Sequence, residues 1–125
     1  MTTPSDCKFS ESHEWYRIED DIITVGITQF AANELTDITY VEMQEDGTTV
    51  DKGESLGEVE SVKTTSDINS AFVGEIIESN PAVVDDPSTL NSDPYGEGWL
   101  VKIRVQDTNS EGLMDQETYD SKYPV

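Results

Sequence analysis

The chain has 125 residues, and its 27 acidic and 7 basic residues give a formal net charge of −20. This length predicts one domain over residues 1–125, with a core at about 12–105. The acidic excess disfavours nucleic acid and anionic membrane surfaces as partners, because both require basic patches. No signal-peptide pattern opens the chain, and no apolar run approaches the roughly 20 residues of a membrane span. We therefore expect a soluble, cytoplasmic protein.

The charge also bears on the environment of the protein. Lysine is scarce, and a strongly acidic surface repels itself unless mobile ions screen it. These features favour the cytoplasm of a salt-accumulating organism. A partner that prefers acidic surfaces, or drift within a lineage, would give the same composition.

Strand patterns dominate the first third of the chain. Apolar-rich runs at Trp15–Glu19 and Ile22–Ile27 are joined by Asp20–Asp21, which predicts a β-hairpin. Thr28 then precedes an amphipathic stretch at 29–35, where it is suited to cap a helix of about two turns. So short a helix is unstable alone and must pack on the sheets.

The rest of the chain continues this pattern of short strands and turns. We predict strands at Ile38–Met43, Thr48–Val50, Leu56–Val62, from near Ile68, at Phe72–Ser79 and at Trp99–Val105. Residues 82–98 are rich in Asp, Pro, Asn and Gly, which predicts a long surface loop with one helical turn after Pro87. The tail, at about 109–122, predicts one or two short helices. The fold class is therefore mainly β, a small sandwich or flattened barrel with a few short peripheral helices.

Lys63 is one of the rare basic residues, and it lies between an apolar run ending at Val62 and the polar stretch Thr64–Asp67. The polar stretch has turn composition, so we place Lys63 at or beside a hairpin tip that faces solvent. By position alone, a lysine at such a tip is usually no more than a solvated charge.

The neighbourhood of this lysine gives it a second interpretation. Gly57–Asp67, followed by Gly74–Ile77, resembles the lipoylation segment of the glycine cleavage system H protein family. Ser12–Trp15 resembles the entry motif of that family, Val25–Thr28 the strand before its short helix, and Asp93–Leu100 its late loop and strand. Four blocks in the same order make this resemblance more specific than one lysine in a hairpin.

The resemblance implies a fold and a chemical role. The fold would be a sandwich of two antiparallel sheets, the barrel-sandwich hybrid of lipoyl domains, with small helices outside. Lys63 would carry lipoate in amide linkage at a hairpin tip. Such a tether serves several active sites in turn only if its mounting is rigid, and the β-branched Val59 and Val62 are predicted to supply this rigidity.

The resemblance also implies partners, and it makes the chain a carrier substrate and not an enzyme. A decarboxylase dependent on pyridoxal phosphate (PLP) would pass the aminomethyl group of glycine to the oxidised arm. A tetrahydrofolate-dependent aminomethyltransferase would take the one-carbon unit and release ammonia. Dihydrolipoamide dehydrogenase would then reoxidise the dithiol, and a lipoate ligase or lipoyl transferase would load the arm in the first place.

In this family, carboxylates and hydroxyls line a cleft for the loaded arm, whose amine is protonated near neutral pH. The resemblance assigns that role to Ser12, Glu14 and Asp67, with Glu34 on the short helix that forms one wall. Solvated acids or turn caps are the alternative interpretation of Glu14 and Asp67.

Four other carrier or binding roles stay open. Biotinyl segments place Met on both sides of the lysine, whereas Val62 and Thr64 flank Lys63, which disfavours biotin. The Ser12–Trp15 and Asp93–Trp99 stretches disfavour a lipoyl domain of another multienzyme complex. An unmodified interaction domain, or an H-like protein that relays lipoate to other carriers, fits the same residues.

The remaining chemically active residues do not suggest a metal or catalytic site. His13 is the single histidine, and we expect it to be a partly buried structural residue beside Trp15. Cys7 is the single cysteine, so an intrachain disulfide is impossible, and we expect it to be unreactive in a mobile N-terminus. The acidic stretch Asp85–Glu97 lacks the spacing of an EF-hand loop, which argues against a specific metal site.

Overall fold

The computed structural model of the protein describes residues 3–125. Nine strands are present in this part of the chain: β1 Cys7–Phe9, β2 Glu14–Glu19, β3 Ile22–Ile27, β4 Ile38–Met43, β5 Thr49–Val50, β6 Ser55–Ser61, β7 Thr65–Asn69, β8 Gly74–Ser79 and β9 Val101–Val105. The helices in the same residues are short: α1 Gln29–Leu35, α2 Pro81–Asp85, α3 Thr89–Ser92 and α4 Gln116–Lys122.

The strands form two antiparallel sheets. One has six strands in the order β1-β2-β3-β9-β8-β5, and the other has three in the order β4-β6-β7. All pairings are antiparallel, including the β2–β3 hairpin, in which Glu19 opposes Ile22. The predicted mainly β sandwich with short outer helices is therefore confirmed.

The main hydrophobic core lies between the two sheets. Because successive side chains of a strand point to opposite faces, Ile23 and Val25 of β3 and Ile103 of β9 face the same way. They are fully buried in one cluster with Val59 of β6 and Ile68 of β7, on the facing sheet. Each fully buried aliphatic side chain stabilises the fold by about 1.5–3 kcal/mol, so this cluster holds the sheets together.

A second cluster covers the opposite face of the six-stranded sheet. Trp15 and Tyr16 are neighbours in β2 and point to opposite faces, and both are buried. Tyr16 belongs to the main core, whereas Trp15 packs with Phe9, Tyr95 and Tyr119. The sheet is therefore covered on both faces, and the tail of the chain contributes to the second cover.

The N-terminal strand and helix α2 differ from the sequence-based expectations, whereas the tail agrees with them. Cys7 begins a strand and is buried, and it was wrongly expected to be mobile; burial raises the pKa of its thiol to about 12. In the predicted loop at 82–98, the helical turn expected after Pro87 is α3, whereas α2 was not expected. Helix α2 is capped by Asn80, which accepts a hydrogen bond from the Ala82 N–H. The tail forms one helix, α4, capped by Asp115, as the prediction of one or two short helices allows.

Candidate functional site: the Lys63 hairpin

Lys63 lies in the short loop 62–64 that joins β6 to β7. The hairpin is closed by a hydrogen bond from the Ser61 N–H to the carbonyl oxygen of Thr64, at 2.8 Å. The Ser61 hydroxyl oxygen then accepts hydrogen bonds from the N–H groups of Lys63 and Thr64, at 3.1 and 3.2 Å. The Ser61 side chain therefore provides the hydrogen-bond acceptor for two N–H groups of the turn. The Lys63 side chain is exposed.

The tip is also tied to the rest of the molecule. The N–H of Val62 donates to the carbonyl oxygen of Asp37, in the connection between α1 and β4, at 3.1 Å. Val62 is 66% exposed and lies outside the strands, so the predicted rigidity from its side chain is wrong. The rigidity of the tip comes from backbone hydrogen bonds and from Ser61.

The segment between α1 and β4, where the Asp37 carbonyl accepts the bond from Val62, is itself held in place by a side chain of α3. Asn91 accepts a hydrogen bond from the Ile38 N–H at 3.1 Å and donates to the carbonyl oxygen of Thr36 at 2.6 Å. Thr36 has φ +63°, which a non-glycine residue adopts only where its surroundings fix it. Asn91 supplies that fixation, so α1, its connection to β4 and the Lys63 tip form one braced unit.

The Lys63 side chain has a single described hydrogen-bond partner. Its Nζ lies 3.2 Å from the carbonyl oxygen of Glu34, in the last turn of α1. The final carbonyls of a helix lack partners within the helix and carry partial negative charge, so a cation is favourable there. Within residues 3–125, Lys63 is in no salt bridge, so its amine is not held by a carboxylate.

Ser12 and Glu14 are in direct contact at the start of β2. Glu14 is only 1% exposed, and its carboxylate accepts hydrogen bonds from the hydroxyls of Ser10 and Ser12, both at 2.5 Å. The second carboxylate oxygen accepts from the Asn69 N–H at 3.1 Å. A buried charge is tolerated only with such partners. This carboxylate thereby joins the turn at residues 10–14 to the end of β7.

The other two predicted cleft residues are on different elements, Asp67 on β7 and Glu34 on α1. Asp67 is exposed on β7, two residues before the Asn69 that Glu14 binds. Glu34 is exposed on α1, and its negative charge acts on His13, beside Glu14. Direct side-chain contact is thus seen for Ser12 with Glu14, whereas neither the Asp67 nor the Glu34 side chain is hydrogen-bonded to that pair.

His13 is partly buried, as predicted, but its partners are not the predicted ones. Its ring packs at 4.6 Å from both Phe30 of α1 and Tyr123, and its Nδ1 lies 2.9 Å from the hydroxyl of Tyr119. Burial lowers the pKa of His13, and the negative charges of Glu14 and Glu34 partly oppose this shift. The neutral imidazole is therefore favoured.

Three of the four motifs that carry the family resemblance meet around Trp15. They are Ser12–Trp15, Val25–Thr28 and Asp93–Leu100. Trp15 opposes Gly26 across β2 and β3, and a Cβ atom at Gly26 would lie 2.5 Å from the indole ring. The indole N–H donates to the carbonyl oxygen of Pro94 at 2.9 Å, and the hydroxyl of Tyr95 accepts from the Gln29 N–H at 2.9 Å. Through Trp15, Gly26, Pro94 and Tyr95, these motifs therefore build a platform under β2 and α1.

Sequence reasoning missed several residues of this site: Ser10, Asp37, Asn69, Asn91 and Tyr119. Asp37 and Asn69 act through their backbone, and Asn91 and Tyr119 act through partners distant in the sequence, so a side-chain pattern does not report them. The Ser10 hydroxyl bonds to Glu14, four residues away, and a local pattern could have found it. Ser61 was available to sequence reasoning, because a serine two residues before a turn position is a known local cap.

The described residues also bear on metal and membrane association. In residues 3–125, no group of three or more His, Cys, Asp or Glu side chains is arranged to hold a metal ion. None of the helices in this part of the chain has the length and apolar character needed to cross a membrane.

Known sequences match nearly the whole chain. The sequence profile of the family described as Glycine cleavage H-protein matches residues 7–124. A probable glycine cleavage system H protein of Aeropyrum pernix is 49% identical over 115 residues, which are 91% of this chain and 80% of that protein. The glycine cleavage system H protein of Marinobacter nauticus is 47% identical over 118 residues, 93% of this chain and 91% of that protein.

Comparison of the fold with solved structures points to the same family. A crystal structure of a glycine cleavage system H protein from Mycobacterium marinum superposes with a TM-score of 0.90 and 39% sequence identity, covering 98% of this chain and all of that chain. The family resemblance predicted from the sequence is thus confirmed. The chain belongs to the glycine cleavage H-protein family, whose members are lipoyl carriers and not enzymes.

Proposed function

We propose that Lys63 carries lipoate through an amide bond, and that residues 1–125 act as one carrier domain in glycine cleavage. The observation that carries this proposal is the Lys63 hairpin, where an exposed amine stands on a turn fixed by Ser61 and by the Val62–Asp37 backbone bond. A modifying enzyme and several successive partners can meet such an amine in one geometry.

The residues present fit this group. Amide formation removes the positive charge of Lys63 but leaves one N–H on Nζ, which can still donate to the carbonyl oxygen of Glu34. Neither a carboxylate partner nor burial opposes loss of the charge. When bound, lipoate supplies reversible disulfide chemistry at the end of a long tether.

The length of the tether supports the assignment of Asp67 to the cleft. From Thr65 to Asn69, β7 spans about 13 Å at roughly 3.3 Å per residue. A lipoyl-lysine chain of about a dozen single bonds reaches about 14 Å at the rise per bond of an extended backbone. Lys63 lies two residues before Thr65, so a tether on it that follows β7 reaches about as far as Asp67. That is two residues short of Asn69, whose N–H the Glu14 carboxylate binds.

The residues around that end suit a cationic cargo. The Glu14 carboxylate, with the Ser12 hydroxyl on it, would attract a protonated amine. Asp67 would add negative charge on the β7 side, and Glu34 on the α1 side. Because Glu14 is buried, its attraction for an amine is screened less than that of an exposed carboxylate.

We also propose a set of partners, which the protein would meet in the cytoplasm. These are a PLP-dependent glycine decarboxylase as donor, a tetrahydrofolate-dependent aminomethyltransferase as acceptor, and dihydrolipoamide dehydrogenase for the electrons. A lipoate ligase or lipoyl transferase would attach the arm. What supports this set is the membership of the chain in a family named for glycine cleavage.

Intact-mass measurement on the protein isolated from its own cells tests the modification. We expect the mass increment of one lipoyl group, localised to Lys63 by peptide fragmentation. A biotinyl increment, or the bare mass in cells replete with lipoate, would contradict the proposal.

A second experiment tests the pathway. The lipoylated protein is added to purified glycine decarboxylase, and glycine-dependent exchange of CO₂ is followed. Exchange is expected to depend on the lipoylated chain. A lipoylated chain that supports no exchange would instead favour lipoate relay or another multienzyme complex.

A further inference from the structure

The hydroxyl of Tyr119, on the C-terminal helix α4, connects the two sides of the proposed arm cleft. It lies 2.9 Å from Nδ1 of His13 and 2.7 Å from the hydroxyl oxygen of Thr28. His13 separates Ser12 from Glu14, and Thr28 caps α1, which bears Glu34. The turn at residues 10–14 and helix α1 therefore share one hydrogen-bonding partner.

The direction of these hydrogen bonds follows from the burial of Thr28. The Thr28 hydroxyl is fully buried, and its oxygen already accepts from the Ala31 N–H at 3.2 Å. Within residues 3–125, the one acceptor in reach of its proton is the Tyr119 oxygen. Thr28 therefore donates to Tyr119, and Tyr119 donates to Nδ1 of His13.

This chain of donors fixes the state of His13. With Nδ1 as an acceptor, the imidazole is neutral and carries its proton on Nε2. A protonated His13 would donate from Nδ1 to the Tyr119 oxygen. Either the Tyr119 or the Thr28 hydroxyl proton would then be buried without an acceptor, which is costly.

Ring packing holds the same residues together. Tyr119 is 1% exposed and stacks on Phe9 of β1 with ring centroids 4.8 Å apart. His13 packs on Phe30, which lies one helical turn before Glu34 on the same side of α1. His13 has φ +72°, a conformation that a non-glycine residue keeps only when its contacts hold it.

We propose that Tyr119 is a positioning residue of the arm cleft, whose hydroxyl fixes the turn bearing Ser12 and Glu14 relative to helix α1. The Glu14 carboxylate is thereby held at one distance from the α1 wall, so a tethered amine meets a preformed site. This inference rests on the proposed function of Lys63, because a cleft without an arm would have nothing to position.

The test compares Tyr119→Phe with Tyr123→Phe. Tyr119→Phe keeps the stacked ring and removes only the hydroxyl. Tyr123 lies at the end of the same helix and packs on the same histidine, but its hydroxyl makes no hydrogen bond in the described residues. It is therefore a matched control for loss of a phenolic hydroxyl.

The first measurement uses the unmodified protein and nitrogen-15 NMR of the His13 ring. In the wild type we expect a neutral ring with the proton on Nε2. Tyr119→Phe is expected to release this tautomer preference and to raise the pKa of His13, whereas Tyr123→Phe is expected to leave both unchanged. A wild-type ring with its proton on Nδ1 would overturn the proposal without any variant.

The second measurement uses the lipoylated protein carrying its aminomethyl group. Hydrolysis of the carbon–sulfur bond by water gives a thiol, formaldehyde and ammonium, so release of ammonia reports exposure of the cargo. We expect release to be about 3- to 10-fold faster in Tyr119→Phe, the effect of one lost hydrogen bond, and unchanged in Tyr123→Phe. Equal rates in Tyr119→Phe and the wild type would overturn the positioning role even if the NMR result holds.

The two measurements separate this inference from the proposed function. Absence of lipoate on Lys63 would defeat the proposed function, whatever the His13 spectrum shows. Normal lipoylation, together with unchanged spectra and release rates in Tyr119→Phe, would defeat only the role of Tyr119.

Discussion

The Lys63 ammonium nitrogen lies 3.2 Å from the carbonyl oxygen of Glu34, in the last turn of α1. This contact links the tip of the β6–β7 hairpin to the helix that forms one side of the proposed cleft. It uses a carbonyl that the helix itself leaves without a partner. An amide N–H can keep the contact after acylation, so the base of the tether would be oriented toward α1 both before and after loading.

Replacing Lys63 with arginine tests the attachment site. The exposed guanidinium can still donate to Glu34, so the free energy of unfolding is expected to change by less than about 0.5 kcal/mol. Arginine offers no amine for the acyl group, so the lipoyl mass increment is expected to vanish. Lys52→Arg, at another exposed lysine, is the control and should load normally. A lipoyl increment that persists in Lys63→Arg would place the modification elsewhere.

Replacing Ser61 with alanine tests whether the turn must be rigid. The change removes the acceptor for the Lys63 and Thr64 N–H groups, and a net cost of about 1 kcal/mol is expected from urea unfolding. Lipoylation by the modifying enzyme is expected to slow several-fold, because the enzyme would have to order the tip. Ser88→Ala, which removes an exposed hydroxyl that bonds to Asp86, is the matched control. Equal loading rates for Ser61→Ala and the wild type would show that rigidity of the tip is unimportant.

Local features of the sequence predicted the elements that carry the site. The residues around Thr28 predict a helix cap, and Thr28 accepts a hydrogen bond from the Ala31 N–H. Strand β4 has the predicted bounds, and Lys63 lies at an exposed hairpin tip. These features depend on neighbouring residues alone, through periodicity, capping and turn composition, so one sequence is sufficient to find them.

Features that depend on distant partners could not be predicted in this way. His13 and Tyr119 are 106 positions apart, and the pattern around neither residue indicates the other. The Cys7–Phe9 strand was missed because so short a segment gains its structure by pairing with β2 and by a bridge to Met114. The sequence predicts a tip made rigid by the β-branched side chains of Val59 and Val62, whereas the N–H of Val62 and the Ser61 hydroxyl fix it.

Replacing Gly26 with alanine tests the platform under Trp15. A Cβ atom there would lie 2.5 Å from the indole, and overpacking of a buried ring is expected to destabilise the fold by about 3 kcal/mol. Gly112→Ala is the control, since it has no atom within 4 Å and a φ of +91°, so only a backbone cost of about 1 kcal/mol is expected. Urea unfolding of both variants provides the comparison. A Gly26 variant no less stable than the Gly112 variant would show that the indole can move aside freely.

The pH dependence of stability should show the state of His13. Burial lowers its pKa below the ordinary value of 6.5, against the opposing charges of Glu14 and Glu34. As pH falls through 6.5, the unfolded chain therefore takes up a proton more readily than the folded one. The resulting contribution to stability is fully present above pH 6.5 and is lost as pH falls toward the folded pKa.

The measurement compares the free energy of unfolding of the wild type and His13→Asn at about pH 7.5 and about pH 5.5. Asparagine tolerates the left-handed backbone at this position and does not titrate. Carboxylate titration is shared by both proteins, so the difference between them isolates the histidine. We expect the wild type to lose more stability than His13→Asn on acidification. Parallel behaviour of the two proteins would mean that His13 is not held neutral by the fold.

A row of carboxylates crosses the outer face of the three-stranded sheet. Glu42 of β4 opposes Glu58 of β6, and Glu58 opposes Asp67 of β7. Directly opposed side chains have Cβ atoms about 4.5–5.5 Å apart, so like charges in these positions destabilise a sheet. This local repulsion adds to that of a chain with a net charge of −20.

Salt should therefore stabilise the protein, and neutralising the centre of the row should reproduce part of that effect. The screening length falls from about 30 Å in 0.01 M salt to about 3 Å in 1 M salt. In low salt, Glu58→Gln is expected to raise the free energy of urea unfolding by about 0.5–1 kcal/mol, and in 1 M salt this gain should largely disappear. Glu111→Gln, at an exposed position outside the strands, removes the same charge elsewhere and is expected to have a smaller effect. Stability that does not respond to salt would contradict both the repulsion across this row and the expectation of a salt-accumulating host, since both require that the carboxylates repel one another when unscreened.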